Sequence, residues 1–183
     1  MNQQNINHNV IEILESRAKA LAKMDIEENQ IESNVHLITF LLDGERYAVP
    51  IDEVIEIQPL NKWAKIPCTP DFIRGAVNLR GRIYPMLDIA RFFGLADRPM
   101  MKSTHVLLVR GDNPHNKNVI ELVLLADERP VEMKIDRADI DTISSTLSSQ
   151  AQEYNFGVTS QMIIVLDLKR LLASAEIIVS EEV

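Results

Sequence analysis

The sequence predicts a mainly β protein built from small barrels or a sandwich, and three observations carry that expectation. Short runs rich in β-branched residues recur from Val35 onward. Turn residues separate them at close intervals, with few helix-period segments between. A strand-to-helix block then occurs twice, which implies two related halves.

Residues 1–33 read differently from the rest. Ile11, Leu14, Ala18 and Leu21 follow 3-4-3 spacing in a stretch without Gly or Pro, which predicts an amphipathic N-terminal helical extension. The stripe covers only about two heptads, too short for an independent coiled coil. Its Asn/Gln-rich start and the acidic stretch Asp25–Glu32 read as solvated. The extension is therefore expected to serve docking or partner choice and to be dispensable for the barrels.

Leu37–Leu42, Asp43-Gly44 and Arg46–Ile51 form a strand–turn–strand pattern, and Asp-Gly is a strong hairpin signal. Ala76–Leu79, Arg80-Gly81 and Arg82–Leu87 give a second hairpin. Val106–Arg110 and Val119–Ala126 give a third, joined by a loop over 111–118, and Tyr154–Val158 with Met162–Leu166 a fourth. The block 83–93 aligns without gaps to 162–172, with Leu87, Asp88 and Arg91 matching Leu166, Asp167 and Arg170. Each copy reads as a strand running into a short helix, with Asp88 or Asp167 as the helix cap. Residues 127–153 have the weakest pattern and read as loop, with Val131–Ile135 an edge strand beside Pro130. Phe40, Ile51, Leu79, Ile83, Leu87, Leu108, Leu124, Ile164 and Leu166 lie in apolar runs and are expected in the core.

Composition narrows the function. The chain has 183 residues and a formal net charge of −8, with no cluster of Lys and Arg. That excludes sequence-independent nucleic-acid binding through phosphate neutralisation and disfavours an anionic membrane surface. A small-barrel nucleic-acid binder, the remaining all-β alternative, would need a basic groove with interleaved aromatics. Cys68 is the only cysteine, so no intramolecular disulfide forms. No apolar run approaches a membrane span and the first residues carry no leader pattern, so a cytoplasmic protein is expected. His8, His36, His105 and His115 have no ligand spacing, and no phosphate loop or nucleophile elbow is present. No catalytic residue, metal or cofactor is expected, and the chain does not read as an enzyme.

Phe72-Ile73-Arg74-Gly75, then Asn78-Leu79-Arg80-Gly81, then an apolar strand ending in Asp88, resembles the central signature of the CheW family of chemotaxis coupling proteins. Tyr47–Ile57 upstream and Ile164–Leu168 near the end are similar to that family's second and closing strands. The resemblance runs from about Val35 to Leu172. It implies two small five-stranded SH3-like β-barrels packed side by side, with short helices after barrel strands. The corresponding domain spans 34–175, the first barrel about 36–100 and the second about 101–172, with strand exchange between them left open and 176–183 a tail.

The same resemblance implies a non-enzymatic adaptor, a monomer when free. Its partners would be the regulatory domain of a CheA-type histidine kinase and the cytoplasmic tip of chemoreceptors. Val54, Glu56 and Arg80 fall at the positions that it implies for receptor binding. Glu56 interrupts an apolar run, and Arg80 offers a planar donor fork at a turn. Read from the residues alone, the two charges contact a partner, stay solvated, or pair with each other. Gly75 and Gly81 flank a strand and are expected as structural turn glycines. The stretch from Asp127 to Lys134 and the shortened turn from Tyr154 to Gln161 depart from the family pattern. Those departures raise the alternative of a divergent adaptor for a pilus-motility or other non-flagellar chemosensory pathway.

Overall fold

A computed structural model describes residues 34–95, 99–112, 119–141, 152–174 and 176–177. The expected N-terminal extension over 1–33 lies outside the described residues, as do Ser144–Ser149 and residues 178–183. The description below concerns the unit that begins at Val35.

Twelve strands are described: β1 Asn34–Leu42, β2 Glu45–Pro50, β3 Val54–Pro59, β4 Trp63–Ala64, β5 Ile73–Leu79, β6 Arg82–Leu87, β7 His105–Asp112, β8 Val119–Ala126, β9 Val131–Asp136, β10 Ile140–Asp141, β11 Asn155–Thr159 and β12 Ile163–Leu166. Two short helices, α1 Ile89–Phe92 and α2 Leu168–Leu172, follow β6 and β12. Asp43 (φ 54°) and Gly44 (φ 82°) turn β1 into β2, and Arg80 (φ 51°) and Gly81 (φ 87°) turn β5 into β6. Positive φ at both central residues is what a two-residue hairpin of right-handed twist requires.

The strands form two curled sheets of six, ordered β10-β11-β12-β2-β1-β9 and β4-β5-β6-β8-β7-β3. Each holds one strand more than the five expected, because the two-residue strands β4 and β10 extend one side. The two orders are the same list displaced by six strands, so the halves of the chain are topological repeats. The sheets, however, do not divide at residue 100. The β1–β2 hairpin of the first half joins the second half's sheet, through parallel pairing of β2 with β12. The β7–β8 hairpin of the second half joins the first half's sheet, through parallel pairing of β8 with β6.

The repeat extends to single hydrogen bonds. Asp88 N donates to Phe72 O, and Asp167 N donates to Tyr154 O, both at 2.8 Å. Phe72-Ile73-Arg74-Gly75 is therefore the structural counterpart of Tyr154-Asn155-Phe156-Gly157. Asp88 Oδ1 accepts from Arg91 N and Asp167 Oδ1 from Arg170 N, at 3.4 and 3.1 Å. These carboxylates satisfy one of the open backbone donors at each helix start.

One apolar core runs across both sheets. Phe40, Leu79, Leu87, Leu108, Leu124, Ile164 and Leu166 are buried in it, with Tyr47, Phe92, Phe93 and Tyr154 in mutual ring contact. A smaller cluster of Leu37, Ala48, Ile135, Ile163 and Val165 fills the other face of the first sheet. Ile51 is half-buried in the turn Ile51–Glu53 and packs against the core. Ile83 is not a core residue: it is 75% exposed. Tyr84 and Met86 point inward from β6, and the period-two alternation of a strand sends Ile83 and Pro85 outward.

Candidate functional site

β3 lies at the side of its sheet, paired only with β7. The pairing slips between Val54, opposite Val109, and Glu56, opposite Leu108. This bulge leaves Ile55 as the extra residue, 42% exposed. Val54 is half-buried and packs against the core, while Glu56 reaches across to the β5–β6 turn.

Arg80 meets it there. Its Nε lies 3.0 Å from Glu56 Oε2, with the arginine side chain 80% exposed and the glutamate 16%. In a flat sheet β3 and β6 would stand about 14 Å apart, three strand spacings of ~4.8 Å. The contact forms because the sheet curls, which folds the turn back toward β3. The turn itself is fixed by Gly81 N donating to Asn78 Oδ1 at 2.9 Å. The two charges pair with each other in the structure. A pair with one partner this exposed contributes about 0–1 kcal/mol to stability. A guanidinium carries five donors, so Arg80 can hold Glu56 and still present N–H groups outward.

Beside this pair, Ile83, Pro85 and Val119 give the hairpin surface an apolar character, with Ile83 and Val119 75% and 60% exposed. Glu121 borders them, accepting from Tyr84 Oη at 3.2 Å and facing Arg82 Nη1 at 3.9 Å. Sequence reasoning placed Ile83 inside. The strict alternation of Ile83, Tyr84, Pro85 and Met86 was the signal available, and it fixes the face only once the inward pair is known.

Gly81 sits in the turn, with open space where a Cβ would be, so only its φ of 87° calls for glycine. Gly75 is not a turn residue. It lies in β5 at a bulge, and a Cβ there would collide with the Ala64 carbonyl oxygen of β4. Close approach of two strands calls for glycine here, and so does a φ of 149°. Asp88 and Asp167 stand at the starts of α1 and α2, where each caps its helix.

Glu53, in the turn ahead of β3, is held above the ordinary carboxyl range. Burial is the main cause, opposed by Lys169 and reinforced by Asp167 and Asp52. Among the described residues no group of three or more His, Cys, Asp or Glu is placed to hold a metal. No described helix is long and apolar enough to cross a membrane.

Comparison with known proteins gives a consistent result. The CheW-like domain family matches residues 36–176. A chemotaxis protein CheW of Helicobacter pylori is 28% identical over 164 residues, covering 88% of this chain and 94% of that protein. The chemotaxis protein CheW of Treponema pallidum is 27% identical over 149 residues, 80% of this chain and 86% of the relative. The crystal structure of the scaffolding protein TtCheW from Thermoanaerobacter tengcongensis superposes with a TM-score of 0.63 at 26% identity, covering 78% of this chain and 94% of that one. The chain belongs to the CheW-like domain family.

Proposed function

We propose that this protein is a non-enzymatic chemotaxis adaptor that couples chemoreceptors to a CheA-type histidine kinase in the cytoplasm, with Val54, Glu56 and Arg80 on its receptor-binding surface. Membership of the CheW-like family makes it a chemotaxis adaptor of the scaffold kind. The finer reading is supported by one observation: Glu56 pairs with the exposed Arg80 at a curled sheet end. A guanidinium held on one side still offers paired donors to a carboxylate on the other, and a helical receptor tip can supply one. Val54 and Ile55 add apolar contact beside it. The regulatory domain of the kinase, which the family resemblance says is of similar fold, is assigned to the rest of the surface.

Purification of the tagged full-length protein from its own cells tests the kinase half of the proposal. A histidine kinase is expected to accompany it. Recovery without any histidine kinase, under conditions that retain other stable complexes, would contradict that half.

A further inference from the structure

Asn78 is exposed near the end of β5, opposite Ile83 of β6, and asparagine is a poor strand former. Neither burial nor strand propensity accounts for it. Its Oδ1 accepts from Gly81 N at 2.9 Å, across the β5–β6 turn. That turn is as short as a hairpin allows, with Leu79 opposite Arg82 and only Arg80 and Gly81 between them. Arg80 stands there at φ 51°, a conformation that residues with a Cβ rarely adopt. The β1–β2 turn has the same backbone, with Asp43 at φ 54° and Gly44 at φ 82°. Leu41 occupies the place of Asn78 there, and the side-chain acceptor comes from outside the hairpin, Asp127 Oδ2 accepting from Asp43 N at 2.8 Å. The turn that carries Arg80 thus has an acceptor of its own, two residues ahead of the arginine.

We infer that Asn78 is a positioning residue: by fixing Gly81 it holds Arg80 where its Nε meets Glu56 Oε2, and through Arg80 it sets the affinity for the receptor. This role rests on the receptor reading of the Glu56–Arg80 surface. The arginine side chain is 80% exposed, so little packing restrains it. Its direction depends on the backbone beneath it and on Glu56 at its tip. Releasing the backbone leaves a long side chain to be ordered at the moment of binding, and that ordering is lost from affinity.

Full-length Asn78→Ala, Arg80→Ala and the double variant are titrated against a purified receptor signalling fragment. The Arg80 Nε–H signal, identified by its loss in Arg80→Ala, is followed by NMR. Asn78→Ala is expected to weaken binding about threefold to tenfold and to speed exchange of the Arg80 Nε–H with water. The double variant is expected to bind no more weakly than Arg80→Ala. Asn78→Asp keeps a side-chain oxygen in place and is expected to retain the slow Gly81 amide exchange that Asn78→Ala loses. A merely structural role would lower the melt and weaken binding equally in both backgrounds. Such additivity, an unchanged Arg80 Nε–H signal, or parental affinity of Asn78→Ala beside a weakened Arg80→Ala would each overturn the inference and leave the receptor reading standing. Parental affinity of Arg80→Ala would overturn the receptor reading, and the inference with it.

Discussion

Gly75 in β5 and Gly157 in β11 are the same residue of the fold, met twice. Each lies at a bulge, after Ile73 in one half and Asn155 in the other. A Cβ on Gly75 would strike the Ala64 carbonyl oxygen of β4, and one on Gly157 would come 2.6 Å from the Asp141 carbonyl oxygen of β10. In both places a backbone oxygen, which cannot rotate away, stands in the path, joined at Gly157 by Ile140 Cγ2 at 2.6 Å. Gly75→Ala and Gly157→Ala are each expected to cost about 1–3 kcal/mol, read by urea denaturation. Gly81→Ala, where only φ is at issue and space is open, is expected to cost about 1 kcal/mol. A smaller loss at Gly75 than at Gly81 would argue against the β4–β5 approach.

Leu87 and Leu166 end the repeated strands and are 0% and 1% exposed. Truncation of either to Ala is expected to cost roughly 2–5 kcal/mol through lost burial and the cavity left behind. Ile83→Ala, one strand face away, is expected to change stability by no more than about 0.5 kcal/mol. Thermal melts of the three variants separate the inward from the outward face of β6.

Asp88→Ala and Asp167→Ala each remove a side-chain acceptor from the first turn of a helix. Losses of about 0.5–2 kcal/mol are expected. Asp88 is the more buried, so its variant is expected to fall at the upper end. Asp167 is less enclosed and also faces Arg170 Nε at 3.3 Å.

Glu53 gives a pH prediction whose sign follows from its environment. Its folded pKa stands above the ordinary carboxyl value, chiefly through burial, and its Oε2 has no hydrogen-bond partner among the described residues. The fold therefore favours the protonated carboxyl. Its contribution to stability is fully present below the unfolded-state pKa and is lost as pH rises through the raised folded value. Glu53→Gln removes the titration. The variant is expected to melt with the parent at acid pH and above it at neutral pH. Parallel melting curves across that range would show that burial does not tax the carboxylate.

Much of this fold is legible in the sequence, because hairpins and caps are local. Asp43-Gly44 announces its own turn, and Leu87-Asp88 with Leu166-Asp167 announces the repeat. What stays hidden is non-local. Parallel pairing of β12 with β2 and of β6 with β8 joins segments far apart in the chain, and no residue pattern at either place marks the exchange. The earlier part of the repeat, Phe72–Gly75 against Tyr154–Gly157, is hidden because the strands are shorter in the second copy, five and four residues in β11 and β12 against seven and six in β5 and β6. Ile83 misled because an apolar residue in an apolar run looks buried until the strand's inward side is known.

The candidate surface was legible in part. Family resemblance singles out Val54, Glu56 and Arg80, but their meeting depends on sheet curl, which sequence spacing does not encode.

The central claim is that Arg80 is a contact residue and not merely a partner for Glu56. The two roles differ in magnitude. Loss of the exposed ion pair changes folding by about 0–1 kcal/mol. Loss of a charge contact desolvated at an interface costs about 2–5 kcal/mol of binding. The direct measurement is a titration of Arg80→Glu and the parent protein against a purified receptor signalling fragment, alongside thermal melts of both. The account predicts receptor binding weakened at least tenfold, about 1.4 kcal/mol, with a nearly unchanged melt and kinase binding largely retained. Parental affinity for the fragment would contradict it and leave Arg80 an ordinary surface charge; a variant that no longer folds would make it structural.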